Sequence, residues 1–150
     1  MKITVLGIGK TKFDFLESGI DRYIKLVKPY AKVEFINLKE ESTKPDCIDL
    51  ESEKLIKHIP KNSFSILMDI SGVDVSSTDF ADIIQNVRDS SKELCFIIGG
   101  HLGVNNSVRN VVDKRVSFSK LTFTHQMIRL LLAEQIYRGF SIINNLNYHK

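Results

Sequence analysis

The feature of this chain that most restricts its fold is a regular change of hydrophobic period. Short β-rich runs at residues 2–8, 32–38, 63–70, 93–98 and 115–118 alternate with stretches of helical period. Residues 13–27 place Phe13, Leu16, Ile20, Tyr23, Ile24 and Val27 on one helical face, and Pro29 stops that helix. A short helix over 51–59 ends at Pro60. Ser77 caps a third helix running to about Asp89, with Asp79 in its first turn. A short helix near 104–112 and a long one over about 125–143 follow. This alternation predicts a single α/β domain, residues 1–150, built on a mainly parallel sheet with helices on both faces. Ligands of such sheets bind beyond the carboxyl ends of the strands. That rule directs attention to residues 69–72, 99–103 and 118–124.

Composition narrows the function classes. The chain has 150 residues, 43% hydrophobic and 26% charged, which excludes a disordered chain, a collagen and a disulfide scaffold. No apolar run reaches membrane-spanning length. The first ten residues read as a strand rather than a signal peptide. Cys47 and Cys95 form no CxxC, so reduced thiols and a cytoplasmic location are expected. Formal net charge is +3, distributed unevenly: residues 1–50 carry +1, residues 51–100 carry −3 and residues 101–150 carry +5. The basic last third suits a phosphate backbone or a solvated basic surface, and charge alone does not choose between them.

Several motifs fail on spacing. Gly7-Ile-Gly-Lys-Thr11 looks like the tail of a phosphate-binding loop, but the required first glycine falls on Thr4 inside the strand. A dinucleotide fingerprint would need glycine where Lys12 stands. The four histidines, His58, His101, His125 and His149, share no metal-ligand spacing, so no metal is expected. No Ser/His/Asp or Cys/His constellation supports hydrolysis. Gly99-Gly100-His-Leu-Gly103 is more informative, since it ends a buried strand. Its glycines admit either a ligand close to the backbone or a tight turn without one.

The last helix is apolar around most of its circumference, from Met127 through Phe140. Such a helix is buried nearly all round, and packing against a partner subunit is one way to achieve that. His125 and Arg129, and Glu134 and Arg138, stand four residues apart. Arg129 and Glu134 lie among apolar neighbours, where charges persist when paired or used. In the polar tail, Tyr148 can stack on a base, His149 can exchange a proton near neutral pH, and Lys150 can meet phosphate.

Four segments together carry a resemblance. They are Met1-Lys-Ile-Thr-Val-Leu-Gly-Ile-Gly-Lys10, Gly99-Gly100, the block from Phe118-Ser-Lys-Leu-Thr-Phe-Thr-His-Gln126 into Met127-Ile-Arg-Leu-Leu-Leu-Ala-Glu-Gln-Ile-Tyr-Arg138, and Tyr148-His-Lys150. The chain resembles, over essentially its whole length, the RlmH family of large-subunit ribosomal RNA methyltransferases. These are small SPOUT-class enzymes that methylate N3 of a pseudouridine.

The resemblance implies a C-terminal trefoil knot, a homodimer, S-adenosylmethionine as methyl donor, and ribosomal RNA on the assembled ribosome as substrate. Carried over by position, it implies cofactor contacts from Met68, Gly99, Phe118, Ser119, Lys120, Leu121, Thr122 and Phe123. It implies functional roles for His125, Arg129, Glu134, Tyr148 and His149. His125, His149 and Glu134 stay open as bases for the N3 proton, and Arg129 as a holder of phosphate or of the deprotonated base. The chain departs from the family pattern at Thr124, where proline is common, at His101-Leu-Gly-Val104, and in a short segment around residues 39–50. A binding module that keeps the fold without catalysis is the alternative, and a nucleotide-hydrolysing protein is a weaker third.

Overall fold

The structure is a computed structural model that describes residues 1–41 and 43–149. Five strands and five helices alternate in chain order. They are β1 (Lys2–Ile8), α1 (Asp14–Val27), β2 (Lys32–Leu38), α2 (Cys47–His58), β3 (Ser63–Asp74), α3 (Ser77–Asp89), β4 (Glu93–Ile98), α4 (Asn106–Val111), β5 (Lys114–Ser117) and α5 (Met127–Ile143). The strands form one sheet in the order β2-β1-β4-β3-β5, and every pairing is parallel. The α/β architecture read from the sequence is therefore the one observed.

Alternation within each strand divides the core between the two faces. Ile3 and Val5 of β1 and Leu94, Phe96 and Ile98 of β4 pack with Phe80, Ile84, Leu132, Ile136 and Phe140 from α3 and α5. Leu6, Ile8, Cys95 and Ile97 point the other way, onto Leu55 of α2 and Val108 of α4. Both cysteines are free and buried, and burial pushes the Cys95 thiol up to about 12.

Several boundaries differ from the sequence reading. The third helix is capped by Ser76 rather than Ser77. The Ser76 hydroxyl accepts the Asp79 N–H at 3.1 Å, and the Ser76 N–H donates to the Asp79 carboxylate at 2.9 Å. Ser77 instead donates its hydroxyl to Gln135 of α5 at 3.1 Å. Helix α2 begins at Cys47, four residues before Glu51; its buried face, Cys47, Glu51, Ser52 and Leu55, is half polar and so breaks the apolar period. Strand β3 continues past Ile70 to Asp74: its register against Val116 of β5 shifts between Met68 and Val73, so the intervening residues bulge from the sheet. The final helix starts at Met127, two residues later than expected. The Thr124 hydroxyl accepts the Met127 N–H and its carbonyl accepts the Ile128 N–H, both at 3.1 Å, so the threonine in the proline position braces the turn that leads into the helix.

No residue of α5 is fully exposed, and α1 and α3 cover it within one chain. Within the single chain Met127, Ile128, Leu130, Leu131 and Tyr137 are half-buried. Among the described residues, no helix is long and apolar enough to cross a membrane.

The turn before α2 holds the sheet's edge to that helix. The Glu41 N–H donates to the Glu51 carboxylate at 2.8 Å, and the Glu41 carboxylate meets Lys44 at 2.7 Å and also accepts from Lys54. Hydrogen bonds from Lys44, then from Lys54, hold the Glu41 carboxyl down to about 2, against an ordinary 4.5. A depressed carboxylate contributes stability above its unfolded pKa and loses it on acidification. The contribution of Glu41 is thus full above 4.5 and disappears towards about 2. Glu41→Gln is expected to lower the urea midpoint at neutral pH and to flatten its decline through that window. Identical declines in both proteins would contradict the pairing.

Candidate active site

A cavity of about 670 Å³ opens beyond the carboxyl ends of β3, β4 and β5. This volume suits a small-molecule or cofactor site. The three places selected from the sequence converge here: the β3 bulge supplies Met68 and Asp69, the loop after β4 supplies Gly99, Gly100 and Gly103, and the loop after β5 supplies the largest share.

Seven of the eight residues carried over as cofactor contacts line the cavity: Met68, Gly99, Phe118, Ser119, Leu121, Thr122 and Phe123. Lys120 does not. Its ammonium lies 2.9 Å from Asp74, on an exposed pair outside the cavity lining. The loop is self-braced. Ser117 donates its hydroxyl to the Ser119 carbonyl, the Ser119 hydroxyl accepts the Leu121 N–H, both at 3.0 Å, and Phe118 packs edge-on against Phe80. Leu121 and Phe123 remain exposed to what enters.

The loop after β4 is a tight turn in which Gly103 N–H donates to the Gly100 carbonyl at 3.0 Å. A Cβ at Gly99 would stand 2.9 Å from the Gly103 backbone. The glycine is therefore required by the turn itself, whatever occupies the cavity. Helix α2 holds this turn in place: Ser52 accepts the Asn105 N–H at 3.0 Å, and Asp49 accepts the Asn105 side-chain amide at 2.8 Å.

His125 lines the same cavity, just before α5. Burial, and then the positive charge of Arg129, lowers its pKa below the ordinary 6.5; Glu40 opposes this weakly, and His101 and Lys12 add to it. Its imidazole is therefore neutral at neutral pH and has a lone pair to accept a proton.

Arg129 is elsewhere. It is 1% exposed and reaches across the ends of β1 and β2. Its Nη2 donates to the carbonyls of Ile8 at 2.6 Å and Gly9 at 2.9 Å, and its Nη1 donates to Asn37 Oδ1 at 3.1 Å and Thr11 at 3.3 Å. A Cβ on Gly7 would stand 2.8 Å from Nη2, so glycine in β1 makes room for this guanidinium. Among the described residues no carboxylate pairs with Arg129, and its buried Nε has no partner.

Glu134, Tyr148 and His149 form a second cluster that does not line the cavity. The Glu134 carboxylate accepts from Arg138 at 2.6 and 2.9 Å, from Gln135 at 2.6 Å and from the Tyr148 hydroxyl at 3.1 Å. Arg138 lies over the Tyr148 ring, 4.8 Å from its centroid, and its Nη1 is 3.3 Å from His149 Nδ1. Burial, Tyr23 and Glu134 push the Tyr148 phenol well above its usual range. The tail thus folds back onto α5 instead of fraying, with Leu146 N–H bound to the Ser141 carbonyl at 2.8 Å. Lys150 lies outside the described residues.

One charged pair in the cavity was missed from the sequence. Asp69 accepts the Nε–H of Arg109 at 2.8 Å, and both residues line the cavity. The available signal was Asp69 at the end of a buried strand, within the region already marked for attention.

A parallel α/β domain with a cofactor-sized cavity at its strand ends defines a ligand-binding enzyme fold. Residues 1–149 match the family described as "Predicted SPOUT methyltransferase", and the chain belongs to this methyltransferase family. The ribosomal RNA large subunit methyltransferase H of Halothermothrix orenii is 41% identical, with 100% of each chain covered. The protein of the same name from Clostridium botulinum strain 657 is 39% identical, also over 100% of both. The crystal structure of the tRNA (m1G37) methyltransferase from Aquifex aeolicus superposes with a TM-score of 0.55 at 15% identity, covering 92% of this chain and 69% of that one. That likeness is one of fold.

The uncompensated Arg129 charge has a consequence. Asn37→Asp places a carboxylate beside Nη1 at an exposed position, where its own desolvation is small. The variant is expected to gain about 1 kcal/mol of stability, measured by urea denaturation at neutral pH. A loss of stability would show that the strand-end carbonyls already satisfy the guanidinium.

Proposed function

We propose that the protein transfers a methyl group from S-adenosylmethionine to N3 of a pseudouridine in large-subunit ribosomal RNA, on assembled ribosomes in the cytoplasm. The observation that carries this reading is the meeting of the β3 bulge and the loops after β4 and β5 around one cavity that also holds His125. The full-length relatives named as ribosomal RNA methyltransferases support the substrate class.

The cavity's residues fit the cofactor. Apolar side chains from Phe118, Leu121 and Phe123 suit a purine ring, and the loop backbones after β4 and β5 offer polar groups to a ribose. When bound, S-adenosylmethionine supplies an electrophilic methyl group. His125, neutral and within the cavity, would take the N3 proton of the base, while the loops around it would hold the methyl donor against N3. Holding the two reactants in line supplies most of the remaining catalysis, on the order of 7–11 kcal/mol in favourable cases.

Arg129 acts in this scheme as a positioning residue, because its guanidinium contacts protein atoms. Glu134 orders the tail, bringing Tyr148 and His149 together with Arg138. The tail cluster begins seven residues after the start of α5, roughly 10 Å along a helix that rises about 1.5 Å per residue. That separation favours a homodimer in which Tyr148 and His149 of one protomer face the cavity of the other. Exposed Phe13, Phe15 and Leu121 supply apolar surface for such a contact. A trefoil knot is part of the same proposal. The chain leaves edge strand β5 and crosses over the sheet to the far side, where Gln126 accepts the Lys12 N–H at 2.7 Å.

The function is tested with labelled S-adenosylmethionine and ribosomes or free ribosomal RNA from cells lacking the enzyme. Label mapped to a pseudouridine of large-subunit RNA in ribosomes is the expected result. Cofactor binding without label in either sample would favour a non-catalytic binding protein. The role of His125 is tested by the pH profile. Because its pKa is lowered, the rate is expected to be flat from pH 6.5 upward and to fall on acidification below 6.5. His125→Ala should cost roughly 10²–10⁴-fold in turnover and leave cofactor affinity nearly intact. A rate that still climbs above neutral pH would assign the proton to another group.

A further inference from the structure

We infer that Arg109, oriented by Asp69, binds the carboxylate of the cofactor's amino-acid end. The inference rests on the cofactor assignment above and names the part of the cavity that reads this group. Among the described residues lining the cavity, Arg109 is the one permanently charged cation and Asp69 the one carboxylate. The rest of the lining is neutral or apolar, apart from His101 and His125. The carboxylate is the single anionic group of S-adenosylmethionine, since its adenosine is uncharged and its sulfonium and amine are positive. An anion entering this cavity therefore finds its permanent positive charge at one place.

The geometry prepares Arg109 for that task. A guanidinium has five N–H donors in a planar fork. Nε donates to Asp69 Oδ2 at 2.8 Å and Nη1 to Asn106 Oδ1 at 3.3 Å, which leaves donors on both terminal nitrogens. Asp69 is itself fixed, because its other oxygen accepts the Ser71 N–H and hydroxyl, both at 3.0 Å. The Asp69 side chain is 8% exposed and that of Arg109 is 31% exposed, so the carboxylate stands behind the guanidinium and holds it forward. This is how a fork is pre-oriented for two-point recognition of a second carboxylate. The pair is also electrically balanced when empty, and the α-amino carboxylate that joins it is balanced too, so little net charge is desolvated.

The experiment is calorimetric and needs no turnover. S-adenosylmethionine and its decarboxylated analogue, which keeps adenosine, sulfonium and amine, are titrated into wild type, Arg109→Gln and Arg109→Lys. Wild type is expected to prefer the carboxylated form by roughly tenfold to a hundredfold, the range of a charge-assisted hydrogen bond. Arg109→Gln should lose that preference while binding the analogue as wild type does, and Arg109→Lys should keep part of it. Equal binding of both compounds by wild type would overturn the inference. So would equal weakening of both by Arg109→Gln, which marks a merely structural residue. Undiminished preference in Arg109→Gln, with weaker binding of ribosomal RNA, would transfer Arg109 to a phosphate and also overturn it. Failure of wild type to bind either compound would instead remove the cofactor assignment on which the inference stands.

Discussion

The buried guanidinium of Arg129 is the constraint on which the arrangement depends. It belongs to the first turn of α5, yet its partners are the carbonyls at the end of β1, Thr11 beyond it and Asn37 of β2. Strand β5, from which the chain has just come, lies at the opposite edge of the sheet. The nine residues between β5 and α5 must therefore cross the strand ends, and in crossing they wall the cavity. A charge without a carboxylate partner costs free energy unless dipoles and hydrogen bonds replace water. Here four acceptors do so, and Gly7 leaves them the room. The same charge acts on His125, adding to the effect of burial in keeping that imidazole neutral.

The two faces of the sheet take different parts in the site. The face packed with α1, α3 and α5 positions the crossing loop through Phe118 on Phe80 and through Arg129. The opposite face carries α2, whose Ser52 and Asp49 fasten the turn after β4. The cavity is thus supported from both layers, with His125 and most of its lining on loops, Asp69 on the β3 bulge and Arg109 on α4. Rigid elements positioning loop-borne chemistry is the general arrangement of α/β enzymes.

The strand and helix alternation was legible because each element keeps its own period over enough residues to show it. The three cavity segments were legible for the same reason, as they are the strand ends of a parallel sheet. What stayed hidden depends on contacts between distant residues. The bulge in β3 arises from its register against β5, which residues 69–72 do not encode by themselves. By contrast, the choice of Ser76 over Ser77 as cap was open to local reading, because Asp79 stands three residues after Ser76 and closes a capping box with it, while Ser77 donates to Gln135 of α5. The i,i+4 spacing of His125 and Arg129 suggested a pair on one helix. In the structure His125 precedes the helix and lines the cavity, while Arg129 turns under the sheet's edge. Glu134 and Arg138 do pair as spaced, but their partners Tyr148 and His149 come from a tail that local sequence describes only as polar.

The account's central claim is that the β3 bulge and the loops after β4 and β5 close around the methyl donor. Hydrogen exchange with and without S-adenosylmethionine tests it most directly, because it reports each loop separately and requires no RNA. Added protection is predicted in residues 68–74, 99–104 and 117–126, with little change in α2 or in the tail. Protection confined to the tail, or absent from the loop after β5, would contradict the assignment of the cavity.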